Sequence, residues 1–246
     1  AAQIQDGYSD VDGLLYGASI SEPNFMGKGK YVSIGFQRSA DWEQYNYTYN
    51  NPYCTLDGIG CGYNLNYTHY KGDDDYLESY TEDKYGASMS YSIPVSQNNM
   101  VNVGYGYSHI DIGNVIGNDS ISPTVSDFVT KYPSPYDEFS LTAGWSYDGR
   151  DRAVFPTKGI LQSLSFDVIP PDVLSTTVGY FTAKYNAQLY IPFHHGFILS
   201  PHTTLGYGDG LGGADELPFF ENFFAGGIAT LPGYSANSLG PHYNYT

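Results

Sequence analysis

Alternation with a period of two runs through almost the whole chain, and few folds accommodate it. From Val101 to Ser108, Val101, Val103, Tyr105 and Tyr107 oppose Asn102, Gly104, Gly106 and Ser108. From Phe139 to Asp148 the apolar set is Phe139, Leu141, Ala143, Trp145 and Tyr147. From Phe181 to Ile191 it is Phe181, Ala183, Tyr185, Ala187, Leu189 and Ile191, against Thr182, Lys184, Asn186 and Gln188. Tyr45, Tyr47 and Tyr49 oppose Gln44, Asn46, Thr48 and Asn50. Side chains of a strand point alternately to opposite faces, so each segment reads as a strand with one apolar and one polar face.

The strands run to roughly 9 to 12 residues, longer than ordinary globular strands and about the length that crosses a bilayer at a tilt. The polar face is Asn, Thr, Ser, Gln and Gly, which suits a wet interior better than a charged outer surface. The apolar face is rich in tyrosine, and aromatic residues collect at membrane interfaces. A soluble sandwich would have shorter strands and inner faces richer in Val, Ile and Leu. No run reaches the ~18 apolar residues of a membrane helix, which leaves a barrel open.

Composition supports sheet over helix. The 246 residues include 26 Tyr and 29 Gly but only 10 Lys and Arg. A net charge of -16 argues against binding along a phosphate backbone, which needs clustered cations, so no nucleic-acid partner is expected. The acidic runs read as solvated loops. No signal peptide precedes Ala1, and the chain reads as a mature or excised piece.

Connections alternate in length. Short ones fall at Phe25–Gly29, Thr55–Gly58, Ser96–Asn99, Arg152–Gly159 and Phe193–Gly196. Long ones fall at Lys71–Lys84, Gly113–Pro135, Pro170–Thr176 and from Asp209 onward. Short turns at one end and long loops at the other are the pattern of an outer-membrane barrel, and the segments number about eleven strands. The first, Ala1–Ser9, alternates poorly and reads as a weak edge. An odd count that stops inside a loop implies strands beyond the chain.

One stretch resists the period. Leu205 to Tyr234 is dense in glycine, which permits turns other residues cannot make. It also holds Phe219, Phe220, Phe223, Phe224 and Tyr234, too apolar for a freely solvated loop. It reads as a folded, functional loop.

Catalytic chemistry finds no support, and the chain is not expected to be an enzyme. Gly208–Gly213 fits GxGxxG, yet a Pro-Phe-Phe stretch stands where a dinucleotide fold needs a helix. The histidines His69, His109, His194, His195, His202 and His242 lack metal spacing. Asp73, Asp74 and Asp75 lack the spacing and glycine of a calcium loop. No metal or cofactor is expected. Cys54 and Cys61 flank Asp57-Gly58, a turn signal. A two-residue hairpin would set them opposite each other, within disulfide reach. Face parity, counted from Tyr45, Tyr47 and Tyr49 against Tyr63, Leu65 and Tyr67, sets them on opposite faces unless Asn51-Pro52 forms a bulge. Both readings stay open.

Five stretches carry a family resemblance: GYGDGLGG (Gly206–Gly213), PFFENFFAGG (Pro218–Gly227), TLPGYSANSLGP (Thr230–Pro241), RAVFPTKG (Arg152–Gly159) and NPYCTLDG (Asn51–Gly58). The chain resembles, nearly from end to end, the barrel domain of the bacterial surface antigen (barrel assembly) family, the BamA-type assembly factors. The resemblance implies an all-β, antiparallel transmembrane barrel of the sixteen-stranded type. Residues 1–208 would supply about the first eleven strands, and 209–246 part of the sixth extracellular loop. The family's periplasmic repeats and last five strands would be absent.

The resemblance further implies an outer-membrane location and a role in folding and inserting outer-membrane proteins. The implied partners are nascent β-barrel proteins, assembly lipoproteins reached through the periplasmic repeats, lipid and lipopolysaccharide. The implied lateral seam is the first strand: Gln3, Ile4, Gln5, Asp6, Gly7 and Tyr8. The implied lumenal loop motif is Leu231, Pro232, Gly233 and Tyr234, with Phe223, Phe224, Gly226 and Gly227. Pro232 stands where the family has an arginine that pairs with the inner wall. Packing of Phe223, Phe224 and Tyr234 is therefore expected to hold the loop instead. A secretion channel of the same superfamily and a passive porin are the alternative functions.

Overall fold

The computed structural model describes residues 2–9, 13–71, 80–113, 123–174, 176, 178–227, 230, 231, 233–235, 238 and 239. Within them the chain forms one antiparallel meander. The strands are β1 (Ala2–Ser9), β2 (Gly13–Phe25), β3 (Lys30–Arg38), β4 (Trp42–Asn51), β5 (Gly60–Lys71) and β6 (Thr81–Pro94), followed by β7 (Asn99–Gly113), β8 (Tyr136–Asp148), β9 (Gly159–Ile169), β10 (Gly179–Pro192), β11 (Ile198–Leu199) and β12 (His202–Leu211). Strands β1 to β10 each pair with the next in sequence. β11 and β12 both pair with β10. They are the two parts of one sheet position, separated at Ser200-Pro201, where proline has no N–H to give the ladder. The sheet therefore has the eleven positions that the alternation implies. No helix is long and apolar enough to cross a membrane.

Register follows the alternation. Tyr45 pairs with Tyr67, Tyr47 with Leu65 and Tyr49 with Tyr63, so the tyrosine faces of β4 and β5 coincide. The outer face carries a belt of rings across five strands. Centroids lie 6.1 Å apart for Tyr16–Phe36, 4.9 Å for Phe36–Tyr45, 6.1 Å for Tyr45–Tyr67 and 4.8 Å for Tyr67–Tyr85. These rings give a large amphipathic surface suited to a lipid interface. At the long-loop end the belt gives way to charge. Asp83 Oδ1 accepts from the Tyr67 hydroxyl at 2.7 Å and lies 2.9 Å from His69 Nδ1. Asp137 repeats the arrangement with Tyr107 at 2.6 Å and His109 at 2.8 Å.

The inner face is polar and paired. Ser92 donates to Asn102, Asn64 to Thr48, Thr142 to Asp167 and Thr204 to Asn186. Among the described residues no buried side-chain nitrogen or oxygen lacks a partner, as burial of polar groups requires. The buried apolar cluster sits at the long-loop end of this inner face: Ile110 and Ile112 of β7, Tyr136 of β8, and Val178.

One helix, α1 (Pro123–Lys131), interrupts the connection between β7 and β8. The strand period does not foretell it. Val125, Phe128 and Val129 fall at i, i+3 and i+4, one helical face, and they join the inner cluster. The long connection after β5 is shorter than Lys71–Lys84, since β6 begins at Thr81. β12 continues to Leu211, so the last loop begins after that residue rather than at Asp209. Asp73, Asp74, Asp75 and His242 lie outside the described residues.

Cys54 and Cys61 form a disulfide, with Cα atoms 5.8 Å apart. The parity objection fails because β4 ends at Asn51, which pairs with Cys61. Cys54 belongs to the turn, where its N–H donates to Ile59 O at 2.8 Å, and a turn residue is not bound by strand alternation. In the turn between β8 and β9, Asp151 is held by the Thr157 hydroxyl at 2.6 Å and by the N–H groups of Thr157 and Lys158 at 2.9 and 3.2 Å. The Thr157 hydroxyl is the largest of the influences that hold its carboxyl below the usual range, because hydrogen bonds to the charged form favour it.

The disulfide closes a short loop. Replacing both cysteines by serine is expected to lower stability by about 2–3 kcal/mol, read as the temperature at which the barrel loses its folded mobility in gel electrophoresis. Alkylation should add mass only after reduction.

Candidate functional site

Two features stand out against the regular sheet: the glycine-rich loop after β12, and the edge strand β1. The loop is built from β12 outward. Gly206, Gly208 and Gly210 pair with Lys184, Thr182 and Tyr180 of β10, so all three lie on the inner face. Their missing side chains make room for the loop. A Cβ at Gly206 would meet the Phe223 ring at 3.0 Å, and one at Gly208 would meet Leu217 at 3.0 Å. At Gly210 it would strike the backbone of Ala214 and Glu216. The chain reverses at Gly212 and Gly213, at φ +68° and +111°, a region costly to residues with a Cβ. Gly226, Gly227 and Gly233 also have positive φ.

The loop is held to the inner wall by two phenylalanines. Phe219 lies 5.2 Å from Tyr80 and 5.6 Å from Phe128, both edge-on. Phe220 lies 5.4 Å from Tyr136. Both rings are partly buried, and each contributes roughly 1–2 kcal/mol, less than the value for full burial. The expectation that Phe223, Phe224 and Tyr234 do this is not what the geometry gives. Phe223 covers Gly206 and lies under the Lys184 ammonium at 5.4 Å, yet it remains exposed, as do Phe224 and Tyr234.

Charge adds direction. Lys84 Nζ donates to Glu221 Oε1 at 3.1 Å, and both side chains are about a quarter exposed. Glu138 and Glu82 are close enough to act on the same ammonium. Glu138 is buried and accepts from the Tyr180 hydroxyl at 2.9 Å. The ion pair is Lys84 with Glu221, and it joins the loop to the wall at β6. A second pair, Lys131 to Asp215 at 2.7 Å, ties α1 to the start of the loop. It is exposed and contributes little.

The tip closes on itself. Gly227 N–H donates to Tyr234 O at 3.0 Å, and Leu231 N–H to Gly227 O at 2.9 Å. The Thr230 hydroxyl donates to Gly226 O at 2.6 Å and accepts from Gly226 N–H at 2.9 Å. Leu231, Gly233 and Tyr234 thus lie in a tight turn. Pro232 lies outside the described residues.

The edge strand is different in kind. Gln3, Ile4, Gln5, Asp6, Gly7 and Tyr8 pair with β2 from Ser19 to Leu14. Among the described residues, no strand pairs with the other side of β1, and none pairs with the far side of β12 at the opposite end of the sheet. Ile4 is 87% and Tyr8 77% exposed. Among the described residues the loop's contacts are with β6, β8, β10, β12 and α1, at the other end of the strand order from β1. Among the described residues no group of three His, Cys, Asp or Glu side chains could hold a metal ion.

The residues that reasoning from sequence missed are Lys84 and Glu221; Phe219 and Phe220 stood among the loop aromatics, without their part as the wall contact. The signal that could have found them is the run of inner-face glycines in β12, which implies a covering segment. Gly210→Ala is expected to push residues 212–221 off the wall at a cost of roughly 1–3 kcal/mol. The readout is protease cleavage in that segment, and Gly7→Ala, where a Cβ meets open space, should leave cleavage unchanged. Lys84→Ala removes the partner of Glu221 and should cost about 1–3 kcal/mol with the same cleavage signature, while Lys84→Arg should retain protection.

A profile of the Omp85 superfamily domain matches residues 24–245. The outer membrane protein assembly factor BamA of Neisseria meningitidis serogroup B is 27% identical over 97% of this chain, and the chain spans 30% of that relative. BamA of Nitratidesulfovibrio vulgaris is 22% identical over 96% of the chain, which spans 28% of it. The crystal structure of BamA from Haemophilus ducreyi lacking POTRA domains 1–3 superposes with a TM-score of 0.86 at 28% identity, over 98% of this chain and 47% of that one. CdiB from Acinetobacter baumannii shares the fold at a TM-score of 0.54 and 14% identity, over 97% of this chain and 42% of its own. The resemblance read from the five motifs is borne out, and so is the outer-membrane β-barrel class. With a match spanning residues 24–245, the chain belongs to the Omp85 superfamily.

Proposed function

We propose that this domain acts in folding and inserting outer-membrane β-barrel proteins, with β1 as the strand that receives the client. The observation that supports the proposal is the similarity to BamA over nearly the whole chain. Among the described residues β1, the first strand of the sheet, is bonded through all eight of its residues to β2 alone. β12 is likewise bonded to β10 alone, so the choice of β1 rests on the crosslinking test below. An edge strand offers unpaired N–H and C=O groups, and an incoming strand can add to them by β-augmentation. In lipid an unpaired backbone group is costly, so such an edge favours a client strand without any covalent chemistry.

The loop after β12 has a separate part. It ties β6, β8 and β10 together from inside through Glu221, Phe220 and Phe223, and so stiffens the wall while the edge exchanges partners. Clients are nascent outer-membrane barrels. Assembly lipoproteins would act through the periplasmic repeats of the longer protein, and lipid and lipopolysaccharide would meet the outer face. A porin reading gains nothing from the inner wall, where α1 and the loop occupy the long-loop end.

The test is site-specific crosslinking in the full-length protein during assembly of a client barrel. Photoreactive residues at Gln3, Gln5 and Gly7 are expected to capture a terminal strand of the client, while Ser88 and Ser90 in β6 are not. Capture confined to inner-face positions such as Asn186 and Thr204 would instead favour passage through the lumen, as in a secretion channel.

A further inference from the structure

Two short turns share a feature that the assembly reading leaves unused. In the turn after β2, Met26 takes φ +54°, and in the turn between β8 and β9, Phe155 takes φ +53°. Residues with a Cβ avoid this left-handed region. Neither side chain gains burial in return, since Met26 is 76% and Phe155 84% exposed. Val154 beside Phe155 is exposed as well. In water such a tip has nothing to offset its strain. The second turn is also rigid, because Asp151 clamps the N–H groups of Thr157 and Lys158.

Cations surround both tips. Lys28 and Lys30 follow Met26, and Arg152 and Lys158 flank Phe155, four of the ten Lys and Arg in a chain of net charge -16. Arg150 is engaged by Asp148 through bonds of 2.9 and 2.7 Å and is left out, whereas Arg152 meets Asp151 only loosely, at 3.7 Å and with its side chain exposed, so a headgroup can compete for it. The Lys30 ammonium lies 5.8 Å from the centroid of the Tyr49 ring, a lysine–tyrosine pair at the margin of the outer tyrosine face. The outer apolar face extends to this end, where Ile191, Phe193, Phe197 and Leu199 are exposed around the turn between β10 and β11. The tips therefore continue a surface that already faces lipid.

We propose that the turns 26–30 and 151–158 are interfacial anchors for an anionic phospholipid surface. Met26, Val154 and Phe155 sit at the boundary of headgroups and acyl chains. Lys28, Lys30, Arg152 and Lys158 meet the negative headgroups. Apolar residues flanked by cations are the chemistry that holds peripheral segments in that layer, and each cation near an anionic surface adds to the attraction. The anchors require only the outer-membrane barrel and stand apart from the assembly role.

The test places one nitroxide on the full-length protein, at Met26→Cys, Phe155→Cys or, as a polar turn control, Asn98→Cys. Cys54 and Cys61 are paired and do not take the label. In vesicles of phosphatidylcholine with phosphatidylglycerol, collision with oxygen over a water-soluble nickel chelate is measured. The ratio at Met26→Cys and Phe155→Cys is expected to exceed that at Asn98→Cys by roughly threefold or more. Adding Lys28→Glu or Lys158→Glu should lower it in these vesicles and not in pure phosphatidylcholine. Folding of each variant is checked by its heat-sensitive gel mobility. Ratios equal to the control, or shielding from both reagents as if protein covered the tips, would overturn the proposal.

Discussion

Backbone groups in lipid have no water to turn to, and this constraint shapes the whole chain. An N–H or C=O on a membrane-crossing strand must find its partner in the next strand. The meander from β1 to β12 does this with nearest neighbours throughout. Such a ladder leaves side chains free to alternate between lipid and lumen, which is why the tyrosine belt and the Asn, Thr and Ser face come from the same strands. It also makes an edge expensive, and gives β1 its chemical interest.

The lumen poses the opposite problem. A polar wall with a wide interior would hold water unless something folds inward. Here glycines clear a track along β12, and the loop lies down on it. The sequence GYGDG looks like a flexible linker, but in the structure it is regular strand with every inner side chain removed. The glycines at φ > 0 are confined to the reversal and the tip, where the backbone needs them. Flexibility is thus a poor description of the stretch. Close approach is what most of these glycines provide.

Much of this was legible from residues alone, and the failures have physical reasons. Strand alternation gave the sheet, its register and its eleven positions, because a one-residue slip would turn each apolar set to the wrong face. The helix α1 was hidden because three apolar residues in nine do not rise above a strand-rich background. Cys54 stayed open between two readings because alternation alone does not say that the ladder stops at Asn51. The wall contacts were missed because Lys84 was read as the end of a loop and Glu221 as one acid among many. Contacts between residues 137 positions apart leave no trace in local pattern.

The two kinds of loop contact do different work. Phe219 and Phe220 supply most of the attraction, yet aromatic burial is tolerant of small slides along the wall. An ion pair between partly buried groups is not. Lys84 meets Glu221 with Glu82 and Glu138 already near it, so moving the loop away would leave one cation facing two wall carboxylates, and one loop carboxylate facing a less polar surface. Such pairs fix register more than they add stability. Glu138 in turn is tied to Tyr180 on β10, so the position of the loop is set jointly by β6, β8 and β10. A displacement of any one of these strands would be felt at Glu221, which makes the loop a brace across the wall rather than a plug resting against it.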